Sequence, residues 1–211
     1  ATAGYAALAA TLMANADAAM YHSKKSGRNR FEFFTPELNA PVAERLVLAN
    51  QLRPAIENNQ LVLHYQPQFD TSTGHLIGAE ALVRWNHTDQ GLLYPDSFIA
   101  LAEESDIIHL IGEWVLNEAC RQIAEWQAGK LRIVPVAINF SAFQFRRANL
   151  VQNVAAAFSR HGLKPQQLES ELTDNANMTA RKETAKPLDQ LHALGVRPST
   201  DTSGTRRPSI N

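Results

Sequence analysis

The sequence has one cysteine, Cys120, in 211 residues. No disulfide framework can form within the chain, and such cysteine usage suits a reducing compartment. Its apolar runs fall far short of the roughly 20 residues that a membrane helix needs. The stretch after Ala1 also lacks the charged and then apolar regions of a secretory leader. These residues therefore read as a soluble, cytoplasmic piece with no membrane segment of its own. The missing Met is consistent with an absent N-terminus, and a longer parent could carry an anchor upstream. Neither sign of charge is in excess: 20 Lys and Arg against 21 Asp and Glu give a net charge of −1. An electrostatic footprint for a nucleic acid polymer or a membrane surface is thereby excluded, and any polyanion must be met locally. With 45% hydrophobic and 19% charged residues, the composition is that of one or two globular domains, not of a disordered, collagenous or disulfide-stapled chain.

Apolar periodicity supplies the elements. Leu8, Leu12, Ala16, Ala19 and Met20 recur at helical spacing and predict a helix over residues 5–26, ending near Gly27. A short strand follows at residues 30–34. Val42, Leu46, Leu52 and Ile56 predict a connecting helix over residues 41–59, which Pro54 would kink or divide. Residues 61–67 and 76–85 read as strands joined by the turn residues Asp70 to Gly74. Pro95 and Asp96 open a short helix. A long helix runs from about Asp106 to Ala128, with Gly129 at its end and Ile107, Ile111, Trp114, Val115, Ile123 and Trp126 on its apolar side. In that pattern Cys120 is a small buried hydrophobe. Strands over residues 134–139, 168–173 and 196–201 then alternate with helices over 150–160 and 179–194, Pro187 falling inside the last. Helices alternating with strands mean a parallel sheet of about five strands, either a small doubly wound sheet or part of a larger barrel.

Oxygen-bearing side chains recur toward the ends of successive strands: Glu80, Asn139, Glu171 and Asp201. In a parallel sheet these ends share the edge where active sites are built. Three carboxylates and an amide are hard donors, suited to Mg, Ca or Mn. Taken singly, each is more often a solvated loop-edge group or a helix cap; the recurrence is what suggests a metal site. Strand alternation puts Arg84 on the face of Glu80, where a guanidinium can hold a phosphate oxygen.

The motifs narrow this further. Glu80-Ala81-Leu82-Val83-Arg84-Trp85 resembles the ExLxRW signature of EAL domains, and Tyr65-Gln66-Pro67 resembles the YQP of that family's first strand. Phe98-Ile99-Ala100-Leu101-Ala102-Glu103-Glu104, Asn139-Phe140-Ser141-Ala142-Phe143-Gln144-Phe145 and Glu171-Leu172-Thr173-Asp174 follow in family order. Upstream, Ala16-Asp17-Ala18-Ala19-Met20-Tyr21 with Lys24-Lys25-Ser26-Gly27-Arg28-Asn29 resembles the last helix of GGDEF domains. The resemblance divides the chain into a GGDEF remnant (1–36), a helical connector (37–58) and the first two thirds of an EAL domain (59–211). It implies an α/β fold, an incomplete TIM-like barrel with about five of eight strands, and a family activity of metal-dependent hydrolysis of cyclic di-GMP to the linear dinucleotide. By matching position, Glu80, Asn139, Glu171 and Asp201 would bind the two Mg²⁺ or Mn²⁺ ions of the family's site, which the change at Thr202 would impair; Arg84 and Gln66 would contact cyclic di-GMP, and Asp174 would support the loop after the fifth strand. A homodimer or a GGDEF/EAL partner is the implied assembly.

The match weakens at residues 197–211. The family's DDFGTGYSSL stands here as Asp201-Thr202-Ser203-Gly204-Thr205-Arg206-Arg207-Pro208-Ser209, so Thr202 replaces the second aspartate. Decay of the module and an error in the reading frame would both give this change. The family's later lysine, glutamate and glutamine have no counterpart up to Asn211. The expectation is a chain of the phosphodiesterase family that does not turn over, or a non-catalytic module that binds cyclic di-GMP or a protein.

Overall fold

The computed structural model describes residues 39–147, 149–172 and 178–198, together with 12, 13, 15, 16 and 20. Contacts divide the chain into two units, Ala1–Gln51 and Leu52–Asn211. In the first, the described residues from Leu12 to Met20 are helical, as the spacing predicts. The rest of that helix and the strand at 30–34 lie outside the described residues. Helix α1 (Asn39–Glu57) keeps Pro54 inside it. It ends where Asn58 donates its backbone and side-chain N–H groups to the Pro54 carbonyl, and Asn59 takes a left-handed φ of 56°.

The second unit opens with an antiparallel hairpin of β1 (Leu61–Phe69) and β2 (Leu76–His87). The Asp70 carboxylate closes its turn by accepting from the N–H groups of Ser72 and Thr73 at 2.9 and 2.8 Å. These bonds, the Ser72 hydroxyl's above all, hold the Asp70 carboxyl down to about 2. Strand β3 (Gly91–Leu93) folds back antiparallel on β2. Helices α2 (Pro95–Glu104) and α3 (Ile108–Ala128) then carry the chain to β4 (Val136–Phe140), which pairs parallel with β2. A short helix α4 (Ala142–Phe145) and α5 (Leu150–His161) lead to β5 (Leu168–Leu172), parallel to β4. Helix α6 (Met178–Leu194) leads to β6 (Arg197–Pro198), parallel to β5. The strand order is β1-β2-β4-β5-β6, with β3 on β2. Among the described residues this sheet is not closed.

Several expectations are refined. β3 and α4, with three and four residues, are too short for periodicity to reveal. Gly129 caps α3 with a φ of −74°, and Lys130 takes the left-handed turn instead. Pro187 sits inside a continuous α6, at the cost of about 3 kcal/mol that proline carries in a helix interior. Of the last expected strand, Arg197–Pro198 is present, and residues 199–201 lie outside the described residues. No described helix is long and apolar enough to cross a membrane.

The core lies between one face of the sheet and its helices. Trp85 is fully buried, edge-on to Phe98 at 5.8 Å, and its indole N–H donates to Gln60 Oε1 at 3.0 Å. Helix α3 buries Ile111, Val115, Leu116, Ala119, Cys120 and Ile123, while the expected Trp114 and Trp126 are half-buried. Trp126 packs edge-on against Tyr65 at 4.8 Å. The Tyr65 hydroxyl is buried there without a hydrogen-bond partner, and burial, seconded by the nearby Glu118 charge, raises its pKa.

Two stability predictions follow from this core. Tyr65→Phe deletes a hydroxyl that makes no hydrogen bond, so stability should hold or rise by about 1 kcal/mol; a loss of that size in urea unfolding would show that the hydroxyl is bonded. Burial pushes the Cys120 thiol up to about 12, so the fold holds it neutral. Its contribution is complete below the unfolded thiol's pKa of about 8.5 and is lost as pH rises toward the folded value. A thiol reagent at about pH 8.5 should therefore modify Cys120 only as fast as the chain opens.

Candidate functional site

The face of the sheet opposite Trp85 carries the oxygen donors. Asn139 and Glu171 are the penultimate residues of β4 and β5 and are register neighbours. Glu80, expected near a strand end, is instead the fifth residue of a 12-residue strand. Parallel pairing of β2 with β4 covers only Ala79 to Ala81, and β2 then runs on as a hairpin arm with β3. Glu80 thus lies where the parallel part of β2 ends, even though the strand does not. The Asn139 side-chain nitrogen donates to Glu80 Oε1 at 2.8 Å, joining the two across 59 residues of sequence. Gln66 is the cross-strand partner of Glu80 in the β1–β2 hairpin, which puts both on the same face.

Arg84 shares that face, four residues along from Glu80. Its Nη1 donates to the Val83 carbonyl at 2.8 Å, and its guanidinium carbon lies 4.7 Å from the centre of the Tyr94 ring. Its Nε is buried without a hydrogen-bond partner. Tyr94 reaches this place through a local device at the end of β2. His87 Nδ1 accepts from the N–H groups of Asp89 and Gln90 at 3.1 and 3.2 Å. The chain thereby turns so that Leu93 pairs with Trp85, and Tyr94 follows beside Arg84. Tyr94 escaped the sequence reading because β3 did; the signal available was Gly91, whose φ is +71°, closing a polar turn.

Glu169 was also missed. It lies two residues before Glu171 on β5, hence on the same face, a placement that strand alternation alone could have suggested. Its carboxyl is raised by burial, against the lowering effect of Arg197, its register partner on β6. Asp201 and Asp174, both expected at the site, lie outside the described residues.

The described residues thus bring three oxygen-bearing side chains to one face of adjacent strands: the carboxylates of Glu80 and Glu171 and the amide of Asn139. With the Asn139 nitrogen bonded to Glu80, its amide oxygen is the atom able to ligate a cation. These donors fit Mg²⁺ or Mn²⁺ in type. Among the described residues no three His, Cys, Asp or Glu side chains converge to hold a metal by themselves, so the fit rests on the amide as well as the acids.

A family model of the EAL domain matches residues 49–211. The chain is 47% identical over 199 residues to the bifunctional diguanylate cyclase/cyclic di-GMP phosphodiesterase MucR of Pseudomonas aeruginosa, covering 94% of this chain and 29% of that protein. It is 39% identical over 199 residues to the cyclic di-GMP phosphodiesterase NbdA of the same species, covering 94% of this chain and 25% of that protein. The chain thus spans less than a third of the length of these curated relatives. Among solved structures it resembles the PaMucR phosphodiesterase in complex with cyclic di-GMP, with a TM-score of 0.69 and 45% identity over 77% of this chain and 66% of that one.

The Arg84–Tyr94 contact is open to test by NMR. A cation over an exposed ring gains about 0.5–1 kcal/mol. Tyr94→Ala should accordingly loosen the Arg84 side chain, lowering the heteronuclear NOE of its Nε–H, whereas Tyr94→Phe should leave that NOE unchanged. An equal NOE in all three proteins would mean that the ring does not hold the guanidinium.

Proposed function

We propose that this chain, which belongs to the EAL domain family, carries the substrate-binding edge of a cyclic di-GMP phosphodiesterase, with its second metal position weakened by Thr202. The observation that carries the reading is the 2.8 Å bond from Asn139 to Glu80, on a face shared with Gln66, Arg84 and Glu171. The named relatives MucR and NbdA are cyclic di-GMP phosphodiesterases, which supports the choice of substrate.

In this reading Glu80, Asn139, Glu171 and Asp201 would hold the family's pair of divalent cations, the second less firmly because Thr202 stands where the family has an aspartate. The Arg84 guanidinium, held over Tyr94, would meet a phosphate oxygen, and Gln66 would contact the ligand from the strand opposite Glu80. Hydrolysis adds water across one phosphodiester: the new P–O bond forms as the P–O3′ bond breaks, leaving a linear dinucleotide with a 5′-phosphate. Mg²⁺ or Mn²⁺, when bound, lowers the pKa of the attacking water and neutralises phosphate charge. The contribution of the side chains is to orient the phosphodiester and hold the oxygen donors at one edge. Thr202 offers no carboxylate where the family has its second aspartate, so turnover should be depressed more than binding. Asp174 belongs to the loop support in the same scheme.

Residues 1–36 are read as the end of a GGDEF domain and residues 37–58 as a connector, the last part of which, from residue 49, the EAL match already includes. The likeness to MucR over 199 residues exceeds what residues 49–211 can hold, and MucR is named as bifunctional.

The deciding assay is hydrolysis of cyclic di-GMP by the chain with Mg²⁺ or Mn²⁺, beside binding measured in Ca²⁺. The expected outcome is binding that Glu80→Ala abolishes, with turnover slow or absent in the wild type and any measurable turnover raised by Thr202→Asp. Binding that turnover never accompanies, even in Thr202→Asp, would favour a non-catalytic receptor. Absence of both from a folded sample would refute the proposal.

A further inference from the structure

The segment just after the Asn139 strand is held by a buried polar relay that the metal-site reading does not use. Ser141 caps α4: its hydroxyl accepts from the Phe143 N–H at 3.3 Å, and its own N–H donates to Gln144 Oε1 at 2.7 Å. Ser141 and Gln144 are both buried, at 6% exposure. The Ser141 hydroxyl donates to Glu103 Oε1 at 2.7 Å, across 38 residues of sequence. Glu103 belongs to the last turn of α2, which holds no basic residue. A carboxylate there opposes the helix dipole, and the Ser141 hydroxyl, 2.7 Å away, supplies it with a hydrogen-bond donor. On the far side, Gln144 presses on α3. A Cβ at Gly112 would fall 1.6 Å from Gln144 Nε2, so position 112 accepts glycine alone unless Gln144 moves.

We infer that Glu103 is a positioning residue for Asn139: through Ser141 it sets the exit of β4, and with it the direction from which the Asn139 amide meets Glu80. The inference rests on the metal-site reading above for its functional meaning. Its geometry does not depend on that reading. Asn139 and Ser141 are separated only by Phe140, which is buried at 2% exposure and edge-on to Phe145 at 5.7 Å. A shift of Ser141 therefore has little slack in which to dissipate. The exposed pair Arg147–Asp106, at 2.7 Å, ties the same corner from outside, where an ion pair contributes little.

Two readouts on the full chain separate the cases. In the first, the side-chain amide of Asn139 is followed by NMR without any ligand. Glu103→Ala and Ser141→Ala should shift it and speed its hydrogen exchange, while Glu103→Gln, whose amide oxygen still accepts from Ser141, should restore the wild-type signal, and Asp106→Ala should leave it unchanged. In the second, Mn²⁺ alone is titrated, with Glu80→Ala as control. Glu103→Ala should weaken binding about 10–100-fold, the range typical of groups that orient metal ligands, and Glu103→Gln should not. A wild-type chain that binds no Mn²⁺ would count against the metal-site reading, and the Asn139 signal would still judge the relay. An Asn139 signal unmoved in a folded Glu103→Ala protein would overturn the inference, even if that protein melted earlier.

Discussion

Three residues of β2, Ala79 to Ala81, pair in parallel with Val136 to Ile138 of β4, and the convergence of the described candidate site residues depends on that short register. It brings Glu80 and Asn139 together from different parts of the chain. The β4–β5 pairing carries the same level across to Glu171, and the β1–β2 hairpin carries it to Gln66. Because side chains alternate with a period of two, a slip by one residue would turn Glu80 into the helix-covered core and expose Ala79 or Ala81 in its place. Trp85 opposes such a slip. Its buried ring and its bond to Gln60 fix which face of β2 is inside.

β2 serves two sheets' worth of function in one strand. Its first half carries Glu80 in the parallel portion, which ends at Ala81, and Arg84 lies beyond that portion, next to Trp85, where pairing with β3 begins. The turn organised by His87 then returns Tyr94 to the guanidinium. The hydrogen-bonded corner of α2, α3 and α4 supports the site from the neighbouring strand end through Glu103, Ser141 and Gln144. Two local structures, neither of which supplies one of the three oxygen-bearing side chains, thus flank them.

The long periodic segments and the motif residues were legible in the sequence because each is a local property. Helical spacing announced α3 and its buried face, and strand alternation placed Arg84 on the face of Glu80. What escaped were short elements and side chains of mixed meaning. β3 and α4 are shorter than any periodic repeat, and Tyr94 and Ser141, which depend on them, went unread as site residues. Glu103 stood in a quoted motif, but nothing in its neighbourhood names a serine 38 residues away. Glu80 was placed at a strand end because the sequence does not say where parallel pairing stops within a longer strand.

By itself the sequence determined the alternation of strands and helices, the family motifs, and the chemical type of the donors, hard oxygens with one arginine. Those follow from residue type and spacing along the chain. Only the tertiary structure decided that the Asn139 nitrogen bonds Glu80, that Gln66 faces Glu80, that Arg84 lies against Tyr94 with its Nε buried, and that Glu103 reaches Ser141. Each of these is a contact between distant segments. Its geometry is set by strand register and by the packing of helices on the sheet, neither of which has a signature along the chain.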